Sequence, residues 1–292
     1  SAHRVEAERS LVRQLQVVED TEATALFIPG NHDWADGSPE GLDAVLAQAA
    51  FLQGRARFLP SGGCPGPELM DMPEAEPLVR VVVLDTQWWL HDERKPTDTC
   101  EPGTPDSVAQ ALQAALDTDL PVVVAAHHPL ASHGPHGGFF GWRAHVFPLT
   151  DAVPWLWVPL PIVGSIYPLT RTRLMPSDQE LSNSENRGMR DALSEAIASR
   201  TRRGPVLYAG GHEHSLQVLR GDVADYVLVS GAGSAGKITA VGSGPDTLFA
   251  HAHTGFIALD VGATGIRLSV VEPTDTAGNE VVFSLEIPLL AD

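Results

Sequence analysis

The chain has 292 residues, with 19 lysines and arginines against 37 aspartates and glutamates, for a formal charge of -18. That balance excludes a nucleic-acid backbone binder, whose affinity rests on Lys and Arg neutralising phosphates, and 43% apolar with 19% charged residues excludes a disordered or collagen-like chain. The longest stretch free of Asp, Glu, Lys, Arg and His, 152–170, contains Pro154, Pro159, Pro161 and Pro168, which break a spanning helix, so no transmembrane segment is expected.

In chain order, Leu11, Val12, Leu15 and Val18 share one helical face, and residues 25–28 (ALFI) read as a buried strand. Ser38-Pro39 reads as an N-cap with proline at the first helical position, ahead of a stripe of Leu42, Val45, Leu46, Ala49 and Leu52. A strand follows at 78–84 (LVRVVVL). Thr104-Pro105 caps a helix carrying Val108, Leu112, Ala115 and Leu116, and 121–126 (PVVVAA) is the next strand. Cys64 and Cys100 lie in polar loops flanking strand 78–84; the pair suits a disulfide in an exported protein, periplasmic or extracellular, with two free thiols as the alternative.

From Ser132 to Arg187 the periodicity gives way to Pro, Gly and aromatic residues over a length far above ordinary connections, so 132–187 reads as an insert or lid. Its 139–168 portion carries Trp142, Trp155 and Trp157. It either covers the core as a flap or forms an apolar rim for a lipid-like phosphoester or a membrane surface. Helix and strand resume at 188–199 and 206–209, and then only strands follow, at 226–230, 256–261, 266–271 and 281–287. The alternation is that of an α/β fold with an antiparallel end, read as a single domain over 1–292.

Three short motifs each follow directly on a strand: Gly30-Asn31-His32-Asp33, His127-His128-Pro129 and Gly211-His212-Glu213-His214. Ligands of open α/β sheets bind beyond the carboxyl ends of strands, so the three converge on one edge. Imidazoles with an Asn and an Asp form a donor set that suits Zn, Fe or Mn more than Mg or Ca.

The segments FIPGNHDW, VVVAAHHP and YAGGHEHSLQ resemble the Gly-Asn-His, His-x-Pro and Gly-His-x-His motifs of the calcineurin-like metallophosphoesterases, and within them the purple acid phosphatases. The resemblance extends through LVSGAGS (228–234) and the closing strands. It implies a two-sheet α/β/β/α sandwich that hydrolyses phosphoesters with a bridging hydroxide at a binuclear centre of divalent or trivalent Fe, Zn or Mn ions. Carried over residue by residue, Asn31, His127 and His212 hold one ion and His214 helps hold the other. His32, oriented by Asp33, faces the phosphoryl oxygens or leaving group, and His133 or His136 contacts substrate. Two such ions about 4 Å apart clamp the phosphoryl group and acidify the water between them.

The family's Asp-x-His and Gly-Asp motifs do not precede Gly30 here. The resemblance therefore implies a chain that begins after them and lacks the two central strands that carry them. The alternative from another class is a non-catalytic binding or scaffold protein that retains the fold with an incomplete metal site.

Overall fold

The computed structural model describes residues 2–150, 155–160, 163–171, 177–201, 204–233, 237–275 and 278–289. Parts of the insert, 151–154, 161–162 and 172–176, lie outside the described residues. In chain order the elements are α1 (Ala2–Gln16), β1 (Leu26–Phe27), α2 (Gly41–Leu52), β2 (Arg57–Phe58), β3 (Glu68–Met72), β4 (Val79–Val83), α3 (Thr86–Leu90), α4 (Pro105–Ala115) and β5 (Val122–Ala125). They continue with α5 (Trp142–Val146), α6 (Ile166–Leu169), α7 (Ser184–Ala198), β6 (Val206–Gly210), β7 (Leu216–Arg220), β8 (Tyr226–Ser230), β9 (Thr247–His251), β10 (Phe256–Val261), β11 (Gly265–Pro273) and β12 (Asn279–Pro288).

Seven strands form a mixed sheet in the order β3-β4-β5-β6-β8-β7-β9. Its centre, β4-β5-β6-β8, is parallel, as expected where both faces are covered and the strands read as continuous Val/Leu runs. On one face α4 and α7 bury Val108, Leu112, Met189, Leu193 and Ile197 against Val82, Val124 and Val206. On the other, the antiparallel β10-β11-β12 sheet sets Ile266, Leu268 and Val270 against Leu207, Leu216, Val218 and Leu228. Each of these fully buried side chains stabilises the fold by about 1.5–3 kcal/mol, so the two apolar layers fix the central sheet rigidly. The chain is thus a mixed α/β fold around a mixed central sheet. β1 pairs in parallel with β2 rather than joining that sheet, and α1 and α2 pack Leu11, Leu15 and Leu52 around this small pair.

Two helix starts show how capping decides boundaries. α4 begins as its sequence dictates: the Ser107 N–H donates to Thr104 Oγ1 and the Thr104 N–H to Ser107 Oγ, a reciprocal capping box with Pro105 in the first turn. α2 does not start at Ser38-Pro39. The Ser38 hydroxyl donates to Glu40 Oε2 instead of capping backbone, and the helix starts at Gly41 behind an uncapped Glu40. Cys64 and Cys100 form a disulfide with their α-carbons 5.6 Å apart, which settles the two readings of this pair.

Candidate metal centre

The parallel registers Val83↔Ala125 and Ala125↔Ala209 bring the ends of β4, β5 and β6 level. Pairing continues past the strands, with the Gly211 N–H donating to the His127 carbonyl, so His127 and His212 leave neighbouring strand ends side by side. The loop after β1 reaches them from outside the sheet. Gly30 permits this approach: a Cβ there would stand 2.5 Å from the His127 ring. The loop is pinned by the fully buried Trp34, whose Nε1–H donates to Asp85 Oδ2 at 2.8 Å, among Leu42, Val45 and Trp88.

Around His127 Nε2, Asn31 Oδ1 stands at 2.9 Å and His212 Nδ1 at 3.1 Å. His212 holds a left-handed backbone (φ 59), an uncommon conformation for a non-glycine residue and one found where function constrains the chain. Its Nε2 faces the Gln179 carbonyl at 3.1 Å, which places the ring proton on Nε2 and leaves the Nδ1 lone pair facing His127 Nε2. His214 follows the same logic with the nitrogens exchanged: Nδ1–H donates to the Lys237 carbonyl at 2.8 Å, leaving Nε2 as the free lone pair. Such carbonyl-oriented imidazoles are the usual second sphere of metal ligands.

Burial, reinforced by the neighbouring histidines, holds His127 and His212 well below the usual histidine range, and burial lowers His214 as well. At neutral pH these rings are uncharged and able to donate lone pairs. The donor set of one amide oxygen and neutral imidazoles therefore fits a transition-metal ion.

His127, His128 and His212 place ligand atoms within 4.8 Å of one another. Hydrogen bonding separates His128 from the other two. Its Nδ1 accepts from the Thr86 hydroxyl at 2.9 Å and its Nε2–H donates to Gln179 Oε1 at 2.9 Å, so both nitrogens are spent. Its pKa is depressed to about 4, chiefly by burial. Asn31 Oδ1 offers an alternative third donor, and His128 packs against both His127 and His212, with ring centroids 4.8 and 4.5 Å away.

The remaining sequence candidates fall in distinct places. His32 is 74% exposed, and its Nδ1 pairs with Asp36 at 2.7 Å rather than with Asp33. Asp33 turns inward instead, accepting from the Gly30 N–H at 2.8 Å to close its own loop, and burial raises its pKa. The carboxylate that orients His32 is thus Asp36, set by the left-handed turn through Ala35 and Asp36. His136 stacks 4.1 Å from His212, whereas His133 Nε2 is tied to Asp246 at 2.8 Å. Of the two candidates, His136 is the one in contact with the cluster.

Several residues at the site carry no sequence signal of their own. Gln179, Glu180 and Arg171 come from the returning arm of the insert. Glu180, nearly fully buried, binds His136 Nδ1 at 3.1 Å and Arg171 Nε at 2.7 Å. Glu213, between the two motif histidines, is fully buried. Its Oε1 accepts from the Ser132 hydroxyl and from the N–H groups of His136 and Gly137, gathering the first turn of the insert onto the sheet edge. Trp142, Trp155 and Trp157 are 66, 77 and 50% exposed, so the insert presents them outward. An apolar groove lined by Leu69, Met72, Leu78 and Leu259 includes none of the motif histidines. No described helix is long and apolar enough to cross a membrane.

No family model matches the chain, and no curated protein matches it. Among solved structures it is similar to GAP50, described as the anchor in the inner membrane complex of Plasmodium, with 16% identity over 85% of this chain and 62% of that one and a TM-score of 0.48. It is also similar to PhoD, with 13% identity over 73% of this chain and 40% of that one and a TM-score of 0.44. The chain thus spans less than two thirds of either protein. These are low-identity likenesses to proteins of the metallophosphoesterase fold, and with TM-scores below 0.5 they assign this chain neither a family nor an activity.

Proposed function

We propose that this chain is a metal-dependent phosphoester hydrolase in which Asn31, His127 and His212 hold a Zn, Fe or Mn ion and His214 contributes to a second. The observation that carries the reading is the convergence of Asn31 Oδ1 and His212 Nδ1 on His127 Nε2, from three strand ends separated in sequence. Ions of this class supply Lewis-acid charge to a phosphoryl oxygen and lower the pKa of water. The chain's own residues then supply proton handling and orientation. Asp36 holds His32 Nδ1 and leaves its Nε2 facing solvent, where it can pass a proton to a leaving oxygen. His136, held between Glu180 and the His212 ring, stands beside the cluster as the substrate-side imidazole. The Cys64–Cys100 disulfide supports an exported location, periplasmic or extracellular. The exposed tryptophans support contact of 139–168 with an apolar leaving group or a lipid surface.

A second reading, a binding or scaffold protein with one metal, is favoured by the one compact group that the strand-end motifs bring together, His127, His128 and His212. Reconstitution with Zn, Mn or Fe, followed by assays on p-nitrophenyl phosphate and bis-p-nitrophenyl phosphate, decides between the two. Metal-dependent turnover is expected, falling about 100-fold in His32→Ala with metal content unchanged. A chain that binds metal and hydrolyses neither ester is a binding protein.

A further inference from the structure

We infer that His251, His253 and Glu272 form a second, separate site for a divalent transition-metal ion such as Zn2+ or Cu2+. The starting point is a misfit in an apolar series. Alternate residues of β11 face the inter-sheet layer, and Ile266, Leu268 and Val270 are all fully buried there. The next inward position is Glu272, a carboxylate only 5% exposed at the rim of that layer. An anion so placed demands compensation. Among the described residues no lysine or arginine forms an ion pair with it. Two imidazoles do: His251 Nδ1 stands 2.6 Å from Oε1 and His253 Nδ1 3.2 Å from Oε2.

Local structure sets this arrangement. His251 ends the edge strand β9 and His253 follows two residues on, the spacing that puts both side chains on one face. The return to β10 is tight at Gly255, where a Cβ would stand 2.4 Å from the Val271 carbonyl oxygen and 3.2 Å from Glu272 Cγ. This holds the His-x-His segment over the glutamate. The rings lie nearly parallel, 14° apart with centroids 5.4 Å distant. They are 52 and 47% exposed, so an ion reaches them from solvent.

Two imidazoles with one carboxylate and open positions form a donor set for Zn, Cu or Ni rather than Mg or Ca. His251 Nδ1 is hydrogen-bonded to Glu272 Oε1, whereas His253 Nδ1 lies 3.1 Å from the Thr254 carbonyl and 3.2 Å from Glu272 Oε2. To bind an ion the rings carry their protons on the solvent-facing Nε2, and the half-exposed side chains rotate to aim both Nδ1 lone pairs at it. None of the strand-end motif residues takes part, so the site stands whether or not the chain hydrolyses phosphoesters.

The test is Zn2+ titration by calorimetry of the full chain carrying His127→Ala and His212→Ala, which disables the strand-end cluster. One zinc should still bind, and adding His251→Gln and His253→Gln should weaken it at least about tenfold. In the otherwise native chain, the same two glutamine substitutions should lower zinc stoichiometry by one, a readout that does not depend on how the cluster variant folds. Cu2+ bound to the cluster variant should show electron-spin coupling to two nitrogens. A cluster variant that folds yet binds no zinc, or zinc binding indifferent to the glutamine pair in either background, overturns the inference.

Discussion

Replacing Asp85 by Asn should change how stability depends on pH. Asp85 caps α3 through the Trp88 N–H, holds the site loop through Trp34 Nε1, and is only 2% exposed. The donors around it favour the anion, but desolvation outweighs them and raises its pKa from 3.8 to about 7. At about 1.4 kcal/mol per pH unit, the full displacement is worth roughly 4 kcal/mol. The sign follows from proton counting. Between the two pKa values the folded chain holds a proton that the unfolded chain has released, so this stabilisation is complete below pH 3.8 and is lost as pH rises through about 7. Between about pH 5 and about pH 8 the native protein should therefore lose about 2.6 kcal/mol more than Asp85→Asn. The amide has one acceptor oxygen where the carboxylate has two, and it turns an NH2 toward Trp34, a cost of about 1–3 kcal/mol at every pH. The slope, not the absolute stability, is thus the informative quantity. Urea unfolding at several pH values in the presence of chelator, followed by tryptophan fluorescence, measures it. Parallel curves for the two proteins would refute the claim that burial keeps this carboxyl protonated.

Two further outcomes follow from the same geometry. Gln179→Ala removes the partner of His128 Nε2 and should weaken zinc binding about 10- to 100-fold, read by competition with a chromogenic chelator; unchanged affinity would mean that the His128–Gln179 side-chain contact does not hold the cluster's geometry. Cys64→Ser with Cys100→Ser opens a crosslink spanning a separation of 36 residues, for which loop-closure entropy gives about 3.8 kcal/mol, and a loss below about 1 kcal/mol in urea unfolding would contradict it.

The ligand cluster was legible in the sequence because strand ends place residues without further information. Once 121–126 and 206–209 read as neighbouring strands, His127 and His212 had to meet at one edge; Asn31 joins them because its loop reaches in from the separate β1–β2 pair. The strands that went unread are those whose inward positions are not apolar or whose runs are short. β7 (LQVLR) carries Gln217 fully buried, where its amide serves Ser132, Ser215 and the His133 N–H, and no hydrophobic pattern announces such a residue. α3 is a single short turn started by the buried Asp85 cap, too brief for a 3.6-residue period to register. The pairing of His32 with Asp36 depends on left-handed backbone at Ala35 and Asp36, positions with no glycine to signal it. Gln179, Glu180 and Arg171 reach the site from a segment without periodicity, so only tertiary contact reveals them.

Those insert contacts tie ligand geometry to the insert's position. The Gln179 carbonyl fixes the tautomer of His212, its side chain holds His128 and Gln87, and Glu180 holds His136 against the His212 ring. On the outgoing side Glu213 gathers 132–137, and the Leu181 N–H donates to the His136 carbonyl, joining the two arms of the insert. Arg190 on α7 ties the segment just before the insert to its returning arm, donating to the carbonyls of Leu130 and Leu181 at 3.1 and 2.6 Å. Displacing residues 177–181 would therefore free the His212 Nε2 proton and remove the partner of His128, turning a preorganised lone pair into one that must be reoriented before it can bind. If an ion binds at Asn31, His127 and His212, its affinity and the position of the arm are linked, and by reciprocity it stabilises this arrangement of residues 177–181 by the same factor that the arrangement strengthens its binding.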